Sequence, residues 1–118
     1  GKGIADVKSG GAAVVDGVAK TKGHSPQIGT YEILEENTTG EPCTAPAHII
    51  GLKTRGKPET GIGEIRGAKD MMVGNEQFTG LIQIGAEMFR TGLFPPNPQS
   101  FLCSAKYCSR WSVCPYHE

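Results

Sequence analysis

Asp6-Val7-Lys8, and Gln27 with Tyr31 about twenty residues later, are the residues whose types and spacing suit chemistry. On a strand alternate side chains share a face, so Asp6 and Lys8 point the same way with the carbonyl of Val7 between them. On a helix residues four apart share a face, which places Gln27 beside Tyr31. Hydrolysing a phosphodiester requires an activated water and a counter-charge for the pentacovalent transition state, and a hard cation held by oxygen ligands supplies both. Asp6 offers such an oxygen, and Lys8 can orient or deprotonate water or neutralise the transition state. Gln27 adds amide donors and an acceptor; Tyr31 adds a hydroxyl and a stacking face. The bland alternative is a solvated ion pair on a strand and an ordinary amphipathic helix.

The cysteines form a second set. Cys43 stands alone, whereas Cys103, Cys108 and Cys114 fall within the last sixteen residues. Four cysteines suffice for two disulfides, but clustering favours a metal or cluster site, since thiolates bind soft metals and iron-sulfur clusters. The x4 and x5 gaps lack the paired C-x2-C of structural zinc sites. Burial of cysteine as a small hydrophobe is the plain alternative. His24, His48 and His117 need no functional role. Lys20, Lys22, Lys53, Arg55 and Lys57 read either as a basic rim for phosphate or as solvated turn residues.

Residues 3–8 read as a strand entering a Ser9-Gly10-Gly11 turn, and 12–18 as a short strand or an irregular excursion. Ser25 followed by Pro26 predicts a capped helix start, and the helix runs through Glu36 with Ile28 and Leu34 available for packing. Residues 37–46 are rich in helix breakers and read as a loop. Residues 47–54 have the apolar run of a strand, closed by Arg55-Gly56-Lys57-Pro58. Residues 71–91 carry Phe78, Leu81, Ile82, Ile84, Met88 and Phe89 at near-helical spacing with Gly92 at the end, although Gly74, Gly80 and Gly85 weigh against continuity. Residues 94–100 are an extended linker. The order strand, helix, strand, helix predicts an α/β layer with helices packed on a small mixed sheet.

The 118 residues suit one domain, and a hydrophobic content of 37% fills a modest core. Twelve basic and twelve acidic residues cancel, which argues against a protein that coats nucleic acid without specificity. No apolar run approaches the roughly 18 residues of a membrane span, and no signal pattern opens the chain, so a soluble, cytoplasmic protein that is not a small secreted disulfide scaffold is expected. Gly1-Lys2-Gly3-Ile4 lacks an initiator methionine and leads straight into a strand, which reads as a truncated gene or excised domain.

The stretch GIADVKSG resembles the third motif of RecB-like nucleases in the PD-(D/E)XK superfamily, and QIGTY is similar to their Q-x-x-x-Y motif. GLKTRGKPE looks like the strand and basic turn that follow the helix in such proteins. Gly92-Leu93-Phe94-Pro95-Pro96-Asn97-Pro98, then Cys103, Tyr107, Cys108, Trp111 and Cys114, look like the ending of phage and prophage members. The resemblance covers nearly the whole chain. It implies a restriction-endonuclease-like core over residues 1–100 with a cysteine tail over 101–118 packing on it. It also implies an exonuclease-like enzyme of bacterial or phage-infected cells that acts on DNA with Mg2+ or Mn2+. Asp6 and the Val7 carbonyl would then bind metal, Lys8 would be the catalytic lysine, and Gln27 and Tyr31 would support the site or touch DNA. Cys103, Cys108 and Cys114 would hold a four-iron cluster, with Cys43 a fourth ligand only by default. The family also has a helix bearing an acid and a strand bearing a first metal-ligand aspartate before this point, and no acid lies upstream of Asp6. The chain alone is therefore expected to be inactive, as part of a longer nuclease. The rival expectation is a noncatalytic DNA-binding or scaffold module with a structural cysteine tail.

Overall fold

The computed structural model describes residues 1–116, so His117 lies outside the described residues. Two compact units divide the chain, Gly1–Ala86 and Glu87–Glu118. In the first, β1 (Ala5–Gly10) leads through a small hairpin, β2 (Val14–Val15) and β3 (Val18–Ala19), to helix α1 (Ser25–Thr39). Strands β4 (Ala47–Lys53) and β5 (Glu59–Ile65) and helix α2 (Ala68–Val73) follow, and helix α3 (Leu81–Thr91) runs on into the second unit.

The sheet order is β1-β4-β5, parallel between β1 and β4 and antiparallel between β4 and β5. A parallel pair needs a crossover rather than a tight turn, and α1 lies on that crossover. This is the small mixed sheet with helices that the sequence order predicts.

The register opposes Asp6 to Ile49 and Lys8 to Gly51, while Ile49 faces Gly63 and Gly51 faces Gly61. Side chains opposed in this way share one face of the sheet. The core forms there: Ile28 and Ile49 have no exposed surface, and Ala19, Ala47, Ile65 and Ala68 close around them with Ile4 alongside. Full burial of an isoleucine is worth about 1.5–3 kcal/mol. The hairpin lies on the same face because three glycines leave room. A Cβ on Gly51 would sit 2.7 Å from the Ala13 oxygen, and one on Gly63 would sit 2.6 Å from the Ala19 oxygen. Asp16 (φ 53°) and Gly17 (φ 77°) both have positive φ, as a two-residue hairpin turn of the I′ type requires. The region left undecided between strand and excursion is thus a minimal hairpin. On the opposite face of the sheet Val7, Leu52 and Ile62 are exposed.

Several expectations need correction. Ser25 does not cap α1. A turn closed by the His24 amide on the Thr21 oxygen makes His24 the cap residue, so Ser25 is already helical, and no side chain caps the end. The helix extends past Glu36 to Thr39, where Gly40 in the left-handed region (φ 76°) donates to the Glu36 oxygen. Leu34 is exposed, because the buried face of α1 runs through Ile28, Gly29 and Glu32. Strand β5 went unanticipated. The helix expected over 71–91 is two helices: Gly74 leaves helical geometry (φ 77°, ψ 174°), and Asn75 Oδ1 accepts from the amides of Gln77 and Phe78, which fixes a turn instead. None of the residues of α3 is buried.

In the second unit Phe89 meets Phe94 edge to face, as Phe101 meets Tyr107, and a short 3-10 turn spans Trp111–Val113. The cysteine tail expected from residue 101 therefore belongs to a unit that begins earlier, at Glu87.

Candidate active site

Alternation along β1 and the four-residue step of α1 bring the four sequence-selected side chains together. Lys8 Nζ donates to Gln27 Oε1 at 2.5 Å, and Gln27 Nε2 donates to the Tyr31 hydroxyl at 2.9 Å. Lys8 Nζ also lies 2.8 Å from Asp6 Oδ2, with both side chains about three-quarters covered. The result is one continuous polar chain, Asp6–Lys8–Gln27–Tyr31, linking β1 to α1.

Donor and acceptor accounting assigns the roles. Gln27 spends its oxygen on Lys8 and an amide proton on Tyr31, so it joins two other groups and has little left for a ligand. Tyr31, accepting from Gln27, keeps its own proton to donate outward, and it is 37% exposed. Lys8 has three protons and gives one to Gln27.

Asp6 has one oxygen that is left without a hydrogen-bond donor. Its Oδ2 is buried, and although it contacts the ammonium as an ion pair, the approach is too oblique for a hydrogen bond, so no donor satisfies it. Leaving a buried carboxylate oxygen without a donor costs free energy. A second oxygen is close by. The carbonyls of Ile4 and Gly10 accept from His48 and Thr54 across the β1–β4 seam. Backbone direction alternates along a strand, so the odd-numbered Val7 turns its carbonyl to the opposite edge, where no strand pairs with β1 among the described residues. Asp6 and the Val7 carbonyl are oxygen donors of the type that a hard cation takes as ligands. No group of three or more His, Cys, Asp or Glu suited to a metal occurs among the described residues.

Cys103, Cys108 and Cys114 are free thiols that line one cavity with Phe94, Pro96 and Tyr116. Cys43 is also free and lines a different cavity, in the first unit, with Glu32, Lys69 and Asp70. Of the basic residues, Lys53 pairs with Glu59 at 3.4 Å, whereas Lys20, Lys22, Arg55 and Lys57 are exposed. His48 Nε2 is 4.0 Å from Glu64 across the β4–β5 pair, and His24 stands before α1.

Sequence reasoning missed Glu32. It is 8% exposed, and its Oε2 accepts from the Lys69 amide at the start of α2. Burial pushes its pKa up, partly offset by the Lys69 amide and ammonium. Burial and the nearby Glu32 carboxylate likewise push the Cys43 thiol up, which makes it a poorer nucleophile. The available signal was position: Glu32 lies four residues after Ile28 and shares its face.

No helix among the described residues is long and apolar enough to cross a membrane. No family model, curated protein or solved structure matches the chain.

Proposed function

We propose that this chain carries the lysine-bearing half of a metal-dependent deoxyribonuclease site on a restriction-endonuclease-like core, of the exonuclease-like kind found in phage and bacterial cells. The observation that supports it is the unbroken contact chain from Asp6 through Lys8 and Gln27 to Tyr31. A purely structural ion pair on a strand does not call for an amide and a phenol from a neighbouring helix.

In this reading Asp6 and the Val7 carbonyl hold Mg2+ or Mn2+, which when bound polarises the phosphate and lowers the pKa of a water. Lys8 directs a remaining proton to the attacking water or to a non-bridging phosphate oxygen as charge builds there. Gln27 fixes the Lys8 ammonium, and Tyr31 donates to a second phosphate oxygen or stacks on a base. With one carboxylate present, a second acid from outside the described residues completes the site, and the chain by itself does not turn over. Cys103, Cys108 and Cys114 line one cavity but do not stand as a metal-holding group among the described residues, so they would have to draw together to provide three of the four thiolates of an iron-sulfur cluster. The four free thiols accord with a reducing, cytoplasmic compartment.

The test is electron paramagnetic resonance of Mn2+ titrated into the chain with a single-stranded DNA oligonucleotide. One ion bound per chain, at least tenfold more weakly in Asp6→Asn, is expected. Equal binding by the two proteins would overturn the reading and leave a noncatalytic module.

A further inference from the structure

Ion pairing in the first unit is uneven. Lys2, Lys8, Lys53, Arg66 and Lys69 each contact a carboxylate. Lys20, Lys22, Arg55 and Lys57 are exposed and have no ion pair among the described residues. All four stand on two segments, the loop after β3 and the turn after β4.

Backbone contacts tie those segments to the end of β1. The Gly10 oxygen accepts from the Ala13 amide at 3.3 Å and from the Thr54 amide at 3.2 Å, and the Ala13 oxygen accepts from the Lys20 amide at 2.9 Å. Arg55 continues from Thr54 and runs its stem over Gly11, where a Cβ would meet its Cδ at 3.0 Å. Lys20 and Arg55 are therefore each anchored within a few backbone contacts of Gly10. Two residues of strand, about 7 Å, separate Gly10 from Lys8. Of the acids near in sequence, Glu59 is taken by Lys53, and Asp16 sits in the hairpin turn. Ligands of open sheets with parallel strands gather beyond the carboxyl ends of those strands.

We propose that Lys20, Lys22, Arg55 and Lys57 form a phosphate-gripping rim that binds the backbone of a nucleic-acid strand and leads it to Lys8. At about 3.4 Å of axis per phosphate on one strand of B-form DNA, 7 Å places the rim roughly two phosphates from the reacting one. The path toward Lys8 rests on the nuclease reading; the grip on phosphates does not. Unpaired lysines and an arginine on loops bind backbone rather than bases, so the contact is electrostatic and independent of sequence.

The experiment is fluorescence anisotropy of a labelled single-stranded oligonucleotide with the full chain in EDTA, over a series of KCl concentrations. The tested variant combines Lys20→Gln, Lys22→Gln, Arg55→Gln and Lys57→Gln, which keeps the side-chain stems. The control combines Lys106→Gln and Arg110→Gln, cations of the second unit. Four contacts at about 0.7 each give a loss of about 3 in the slope of log affinity against log salt, with at least tenfold weaker binding at low salt. The control should keep the wild-type slope. An unchanged slope in the rim variant, an equal loss in the control, or binding to anionic phospholipid vesicles but not to the oligonucleotide would each overturn the proposal. Rim-dependent binding alongside Mn2+ affinity indifferent to Asp6→Asn would retain the rim and remove the nuclease reading.

Discussion

Lys8 and Gln27 are 19 residues apart in sequence and 2.5 Å apart at their Nζ and Oε1 atoms. This contact sets the orientation of the ammonium, because Asp6 approaches it too obliquely to do so. Gln27→Ala should release the ammonium while leaving the fold intact, since an exposed hydrogen bond contributes only about 1 kcal/mol. Side-chain 15N NMR should then lose the Lys8 ammonium signal to solvent exchange, with Tm shifted by only a few degrees. A persistent signal would show that Asp6 alone holds the lysine.

The helix carrying Gln27 and Tyr31 is itself positioned by Gly29. A Cβ there would fall on the Ala68 carbonyl and 2.8 Å from Met72 Cγ, so α1 and α2 would have to separate. Gly29→Ala should cost about 1–3 kcal/mol and lower Tm by more than about 4 °C. Thermal denaturation checks this, and an unchanged Tm would mean that the helices part without cost.

Glu32 gives the pH dependence its sign. Its folded pKa is raised by burial, so folded protein holds the proton to higher pH than unfolded chain does. Its favourable contribution is fully present below the ordinary glutamate pKa and is lost as pH rises through the raised value. Glu32→Gln keeps an acceptor for the Lys69 amide and removes the titration. It should match or exceed wild type at pH 7 in urea denaturation and gain less on acidification toward the ordinary glutamate range. Glu32→Ala, which leaves that amide without a partner, should lose about 1–3 kcal/mol.

The cysteine tail is tested by anaerobic purification with iron analysis and visible absorbance. Iron and a broad absorption band, both diminished in Cys108→Ser, are the result expected of a cluster on which the three thiols of this cavity draw together. A colourless, metal-free wild type would leave those cysteines as packing residues.

The site was legible because its geometry is local: a two-residue step on a strand and a four-residue step on a helix each fix a shared face. The cue that these two faces meet is the interval of about twenty residues, which lets the helix reach the sheet end that carries Asp6. Strand β5 was illegible because Gly61 and Gly63 dilute its pattern, and both glycines are there to admit a hairpin whose local signal, Asp16-Gly17, says nothing of the strand it packs on. The break before α3 was half legible: Gly74 and Gly80 were visible, but the Asn75 side chain that closes the turn acts through backbone amides. Leu34 misled because an apolar residue on a helix suggests core, whereas the close approach of α2 at Gly29 selected the face bearing Glu32.

Paramagnetic broadening in a 1H–15N NMR spectrum with substoichiometric Mn2+ and DNA examines the centre of the account most directly. Loss of amide signals centred on residues 5–9 and 27–31 and on their β4 neighbours 48–51, and abolished by Asp6→Asn, is the predicted result. Broadening centred instead on the carboxylates of Glu35, Glu41 or Glu64, with β1 untouched, would contradict it.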